Sequence, residues 1–373
     1  MASIHPELID DIKKYGAFDF TACYNCGNCT AVCNLSGENA NFPRKMIRYS
    51  MLGLKEEILS SKELWLCYSC GDCSTTCPRQ AEPADLMAGL RRYAIANYEK
   101  TGLTKLIFKS NIFSIFLTLL LSVILGFFLL TIKPEMPISR WIFQYMPYEV
   151  IHNFGIAAFA FMGLSAVIGI LVMWQKIMKN PDGQTTNTRI VQRSIEAFKK
   201  VLEEVATMKQ YKSCDSDNSY WNNKKWFVKP WFVHWTIMWG FIGLLVATTL
   251  DFIFKDPSID IWWPSRILGT IAGLFMIYGA SLAIYYRYTK VTKSYANSRM
   301  ADWMFLSFLW IAGMTGFWLE IAVAFKADTI LNHIAFIVHT IISMQLVILF
   351  AFSKFAHAFY RPLALFAHYY KSN

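Results

Sequence analysis

An all-α protein in two parts is what this sequence predicts: a helical cysteine-rich domain over residues 1–105, then a bundle of six membrane-spanning helices within residues 106–373. Three observations predict it. Eight of the nine cysteines fall between residues 23 and 77, residues 1–105 hold no alternating run of β-branched residues, and from residue 111 onward long apolar runs take over. Composition agrees, because 55% apolar and 16% aromatic residues with a mean hydropathy of +0.31 are too oily for a soluble enzyme. The net charge of +10 does not indicate nucleic acid, since Lys and Arg cluster beside the apolar runs and no recognition motif accompanies them.

Taken in order, the first 20 residues are polar and carry Glu7, Asp10, Asp11, Lys13 and Lys14, so no secretory core precedes the cysteines. A reducing cytoplasm is therefore expected around them, where thiols hold metal rather than form disulfides. Pro43 and Pro83 each open a helical stretch, 43–54 and 83–98. The apolar runs 111–132, 151–174, 231–254, 267–288, 303–325 and 330–358 are each long enough to cross a hydrocarbon core of about 30 Å.

Between the second and third runs lies a polar loop, 175–230, in which Ile190, Val191, Ile195, Phe198, Val201, Leu202 and Val205 recur at helical spacing. That pattern predicts an amphipathic cytoplasmic helix packed on the cysteine domain. With that domain inside, the loops 175–230 and 289–302 and the tail carry most of the Lys and Arg. The opposite loops are balanced, with Lys133 and Arg140 against Glu135 and Glu149, and Lys255 and Arg266 against Asp256 and Asp260. Positive-inside bias thus gives the orientation that the cysteines give, in a bacterial or archaeal cytoplasmic membrane.

Cys23, Cys26, Cys29 and Cys33 form C-x2-C-x2-C-x3-C, and Cys67, Cys70, Cys73 and Cys77 repeat it with Pro78 following. Three cysteines at two-residue intervals wrap one [4Fe-4S] cubane, and the fourth points away to ligate the other cluster. One cluster is therefore expected on Cys23, Cys26, Cys29 and Cys77, the second on Cys67, Cys70, Cys73 and Cys33. Gly27 and Gly71 occupy the same place in each loop, where a missing Cβ lets backbone N–H groups approach sulfur. Paired C-x2-C units also bind zinc, but a four-ligand site does not call for three plus one, twice. Cys214 stands alone in the polar loop and reads as a free thiol.

Histidines inside apolar helices are costly and need a reason. His339 and His357 are 18 residues apart in the last run, which on one continuous helix is five turns and about 27 Å along the axis. Haem b needs two imidazoles from different helices at one depth. Depth pairs His234 with His357 for an inner haem b, and His152 with His339 for an outer one. His333 is an alternative outer ligand on another face, while His5 and His368 read as solvated.

The stretches CYNCGNCTAVCN and CYSCGDCSTTCP resemble the small iron-sulfur subunit of heterodisulfide reductases. From His152 onward the chain is similar to the five-helix haem b subunits of respiratory nitrate reductases and membrane heterodisulfide reductases, with His339 and His357 matching the last-helix ligand pair. Asn34 stands where proline usually follows the motif, and Leu244 stands ten residues after His234, where those haem subunits have another histidine. The fusion resembles the membrane subunits of quinone-interacting membrane-bound oxidoreductases. That resemblance implies electron transfer between menaquinone in the bilayer and two soluble flavin and iron-sulfur subunits, which exchange electrons with adenylylsulfate (APS) reductase in sulfate reduction or sulfur oxidation. Asp251 and Glu320, with His152 and His333, could then exchange quinol protons, or could simply face interfacial water. Two other readings are a heterodisulfide reductase-type membrane subunit and a non-redox membrane anchor or docking scaffold.

Overall fold

Two kinds of helix follow from the composition change near residue 110, and the computed structural model shows both over residues 3–37, 41–132, 141–179, 190–218, 220–254 and 263–372. Lys133, Glu135, Arg140, Arg189, Lys255, Asp256 and Asp260 lie outside the described residues. In the cysteine domain the helices are short: α1 (Leu8–Lys14), α2 (Asn28–Ala31), α3 (Arg44–Met51), α4 (Lys55–Leu59), α5 (Glu63–Leu66), α6 (Asp72–Thr75), α7 (Pro83–Tyr98) and α8 (Leu103–Lys109). Pro83 occupies the first turn of α7, where its missing N–H costs nothing, and this helix is the spine of the domain. Leu86, Met87, Leu90, Tyr93 and Ile95 are buried along it.

Six helices among the described residues are long and apolar enough to cross a bilayer: α9 (Asn111–Thr131), α10 (Tyr148–Lys179), α13 (Pro230–Phe254), α14 (Trp263–Thr289), α16 (Met300–Ala324) and α17 (Ile330–Ile348). Between them and after them lie α11 (Ile190–Thr207), α12 (Lys209–Asp217), α15 (Lys293–Ala296) and α18 (His357–Ser372), all on the side that carries the cysteine domain. Small residues set the tightest crossing. A Cβ on Gly240 would lie 2.6 Å from the Met276 amide nitrogen, so α13 and α14 meet nearly backbone to backbone.

The cysteine domain is not tethered by a linker; it shares one core with the membrane helices. Leu64, Trp65 and Tyr98 pack in one cluster with Met173 and Ile177 of α10 and with Phe352, Tyr360 and Ala364. Asp302 at the start of α16 sits 3.1 Å from Arg92 of α7 and 2.8 Å from Lys354, an ion triad closed between the two parts. Lys176 reaches Glu56 at 2.6 Å, and Lys293 reaches Glu82 at 3.3 Å.

Three expectations need correction. The last span does not run over 330–358. Its helix ends at Ile348, followed by 3-10 turns at Phe350–Phe352 and Lys354–Ala356 around an extended Ser353. Aromatic packing drives the break: Phe350 and Phe355 stack at 4.6 Å, Phe305 and Phe241 close over Phe355, and Lys354 is turned toward Asp302. His357 therefore opens a new helix instead of continuing the face of His339. The amphipathic helix α11 does pack on the cysteine domain, with Val201 and Val205 against Leu66 and Leu35, but only part of its apolar pattern does so, since Val191, Ile195, Phe198 and Leu202 are exposed. His368 is half-buried beside Tyr369, not solvated, and burial pushes its pKa down to about 4.

Candidate redox centres

The two cysteine loops are built on one backbone plan. Gly27 and Gly71 precede α2 and α6 with φ of +88° and +92°, and two residues earlier Asn25 and Ser69 also have positive φ, 59° and 58°. This sequence of left-handed positions curls each loop so that amides face sulfur. Asn25 N–H lies 3.2 Å from Cys23 Sγ, Ser69 N–H 3.3 Å from Cys67 Sγ and Ala81 N–H 3.4 Å from Cys77 Sγ. Asn28 of the first loop donates to the Thr76 carbonyl of the second at 2.7 Å, which fixes the loops side by side.

Their electrostatics cross the two motifs. Burial raises the Cys29 thiol, and Cys23, Cys26 and Cys77 add to the shift. Burial pushes Cys33 up to about 11, with Cys67 and Cys70 adding to it. Cys73 is raised by burial and then by Cys67, Cys70 and Cys33. A set of thiols this reluctant to ionise alone is one that a cluster of positive irons would stabilise as thiolates.

The second loop is enclosed by residues the sequence did not single out. Arg361, one helical turn beyond His357, donates to the carbonyls of Cys67 at 3.0 Å and Leu66 at 3.2 Å, and its guanidinium lies 3.8 Å over the Tyr68 ring. Arg91 donates to the same Cys67 carbonyl. Tyr68 donates its hydroxyl to Glu204, and Asn218 donates to Asp72. Cys214 is buried, and its thiol pairs with that of Cys70. A lone cysteine in a polar loop was the one available signal for this contact.

Of the four histidines named for haem, the structure brings two together. The rings of His234 and His357 are 6.1 Å apart. Two imidazoles that held one metal between them, each nitrogen about 2.0 Å away, would have ring centres about 6 Å apart, so this pair is spaced as two ligands of one metal would be. His357 Nδ1 bonds the Lys354 carbonyl at 2.6 Å, which makes Nδ1 the donor and leaves Nε2 with its lone pair. Burial, partly offset by that bond, lowers its pKa to about 4, so the ring is neutral as a ligand must be. Among the described residues His234 Nδ1 is buried without a hydrogen-bond partner.

His152 and His339 contact other groups. His152 stacks on Phe252 at 3.9 Å and 7° between planes, with Nδ1 buried and unpartnered among the described residues. His339 Nδ1 lies 3.0 Å from Thr315 Oγ1 and 3.1 Å from the Ala312 carbonyl, and a Cβ on Gly316 would crowd its Cε1 at 3.0 Å. His333 is spent structurally, with Nε2 2.9 Å from Asp328 and its ring against Tyr145. His5 contacts Ser3 and Glu7. Asp251 accepts from Ser265 at 2.8 Å and Glu320 pairs with Arg266 at 3.0 Å.

Residues 19–81 match the family model described as a 4Fe-4S dicluster domain. Curated relatives match the same part of the chain. The C subunits of the H(2):CoB-CoM heterodisulfide,ferredoxin reductases of Methanothermobacter thermautotrophicus and Methanothermobacter marburgensis are each 34% identical over 64 residues, 17% of this chain and 35% of theirs. The iron-sulfur C subunit of the CoB--CoM heterodisulfide reductase of Methanopyrus kandleri is 37% identical over 61 residues, 16% of this chain and 32% of that one. The chain thus spans about a third of the length of these relatives. No solved structure matches. What the sequence, fold and similarities jointly establish is a 4Fe-4S dicluster domain, similar to the C subunits of heterodisulfide reductases, built into a multi-pass helical membrane protein.

Proposed function

We propose that the chain carries electrons between a quinol or quinone in the bilayer and soluble redox partners. In this reading His234 and His357 hold haem b, which supplies one-electron exchange inside the membrane. Cys67, Cys70, Cys73 and Cys33 hold the nearer cluster, and Cys23, Cys26, Cys29 and Cys77 the farther one. His152 and His339 are the candidates for a second haem. The bias of Lys and Arg to the side of the cysteine domain supports a cytoplasmic position for it.

One observation carries the proposal: the facing imidazoles are joined to the second cysteine loop through Tyr211 and Arg361. Tyr211 lies 6.0 Å from the His234 ring and 5.0 Å from Tyr68, the residue after Cys67. Arg361 ties the helix of His357 to the Cys67 carbonyl. Buried rings and a short helix turn thus fill the space between membrane and cluster. One quinol releases two electrons and two protons, and two one-electron clusters accept that pair.

The soluble partners proposed are flavin and iron-sulfur subunits that connect to APS reductase, as the resemblance in the sequence implies. The similarity to the C subunits of heterodisulfide reductases favours a second reading, in which the partner carries a thiol-disulfide centre. Pyridine haemochrome assay of the purified protein tests the shared core of both. His357→Ala is expected to lose haem absorbance and quinol-driven cluster reduction while retaining both cluster signals. Clusters without any haem in the native protein would leave the anchor reading instead.

A further inference from the structure

The helix α11 presents three different faces. Ala197, Val201 and Glu204 are buried against the protein. Gln192, Glu196, Lys199 and Glu203 form a polar face in water. Between them Val191, Ile195, Phe198 and Leu202 are 72%, 50%, 55% and 52% exposed, and at helical spacing they fall within about 60° of arc. Four large apolar side chains in one stripe are too many to leave to water by accident.

We propose that α11 lies in the plane of the bilayer surface, with Val191, Ile195, Phe198 and Leu202 seated in lipid. Its depth is fixed by the first membrane helix that follows it. Trp235 and Trp239 of α13 donate their indole N–H groups to the Ala206 carbonyl at 2.9 and 3.3 Å. These residues are five and nine positions into that helix, about 8 and 13 Å along its axis, where interfacial tryptophans belong. Ala206 lies at the border of the exposed stripe and the polar face, about 20° from Ile195 and from Lys199, and beyond Trp239 the surface of α13 continues with exposed Ile242, Leu245 and Val246. An apolar face toward lipid, with charged residues toward water, is the arrangement of an interfacial helix.

The seat has a consequence for the cysteine domain. Glu204 on the buried face of α11 accepts the Tyr68 hydroxyl, one residue beyond Cys67, so a helix held by lipid also holds the second loop at the membrane surface.

The test uses the full chain with its clusters, in nanodiscs of phosphatidylethanolamine and phosphatidylglycerol. Nitroxides are placed singly through Ile195→Cys, Phe198→Cys and Leu202→Cys, and for comparison through Gln192→Cys, Glu196→Cys and Glu203→Cys. Power saturation with oxygen and with a water-soluble nickel chelate is then measured. The first three labels should collide more with oxygen than with nickel, and the other three should show the reverse. Equal nickel access on both faces, a helix standing in water, overturns the proposal. Shielding of the first three from both reagents, a covering protein or second copy, overturns it as well.

Discussion

The two cysteine loops share a local plan and live in different surroundings. In the first, Tyr24 is 69% exposed, Cys26 is open to solvent, and what lies nearest Gly27 is the flexible end of Arg44. In the second, the matching Tyr68 is gripped by Arg361, Tyr211 and Glu204, and Gly71 packs on Ser294. The motif determines how a loop wraps a cluster, whereas the elements packed around it determine which direction electrons can come from. Enclosed by α11, α12, α15 and α18, the second loop is shut off from water, whereas the first is open to solvent.

The largest expected effect breaks the apparent independence of the motifs. If thiolates are exchanged between loops, Cys77→Ser depletes the cluster held by the first motif, and Cys33→Ser the cluster held by the second. Separate EPR signals of the reduced protein read this directly. Loss of the cluster of its own motif in either variant would show that each loop closes on itself.

Next in size are changes to the grip on the second loop. Arg361→Ala removes two charge-assisted bonds to buried carbonyls and a stack on Tyr68, and should cost about 3 kcal/mol of local stability. Hydrogen exchange should rise over residues 64–70 and the EPR signal of the second cluster should change, with the first cluster unaffected. A change in both signals would mean that the two loops form one rigid unit.

Much of this arrangement was legible in the sequence, and the reason it was legible is local. The cysteine spacing and Gly27 and Gly71 encode loop geometry within a dozen residues, and the apolar runs encode six long helices because hydrocarbon thickness sets their length. Depth along those runs also placed His234 and His357 on one side. The grip on the second loop was not legible, because Arg361, Glu204 and Asn218 are 294, 136 and 146 residues from their partners Cys67, Tyr68 and Asp72. The break before His357 was hidden for a related reason. Phe350, Phe352 and Phe355 extend an apolar run by composition, and only the packing of Phe350 and Phe355 on Phe241 and Phe305, with Phe352 on Phe161, turns the chain.

Gly71→Ala and Gly27→Ala sharpen the comparison at smaller scale. Each forces a side chain into the left-handed region at about 1–2 kcal/mol. At Gly71 the new methyl would also lie 3.3 Å from Ser294 Cβ and 3.5 Å from its backbone nitrogen, whereas at Gly27 it would meet only the long side chain of Arg44, which can shift by giving up its bond to Asn25. Thermal loss of cluster absorbance should therefore come earlier in Gly71→Ala than in Gly27→Ala, and an equal loss would mean that backbone strain alone decides it.

The smallest effect belongs to Tyr24→Ala. The Tyr24 ring is mostly in solvent, and the contact that defines it is the Arg79 guanidinium 4.1 Å from its centre. An exposed cation–π pair is worth about 0.5–1 kcal/mol, and Cys23 keeps its amide bond from Asn25 whatever stands at position 24. Cluster content, both EPR signals and quinol-driven reduction of the clusters should stay at native levels. Transfer onward from the clusters to a soluble acceptor should slow if partners meet the first loop, because Tyr24 stands beside the exposed Cys26 on that surface. Stopped-flow oxidation of the reduced protein by such an acceptor separates the two steps. A native onward rate would place the partner elsewhere, and a loss of cluster content would show that the first loop depends on its surroundings as much as the second does.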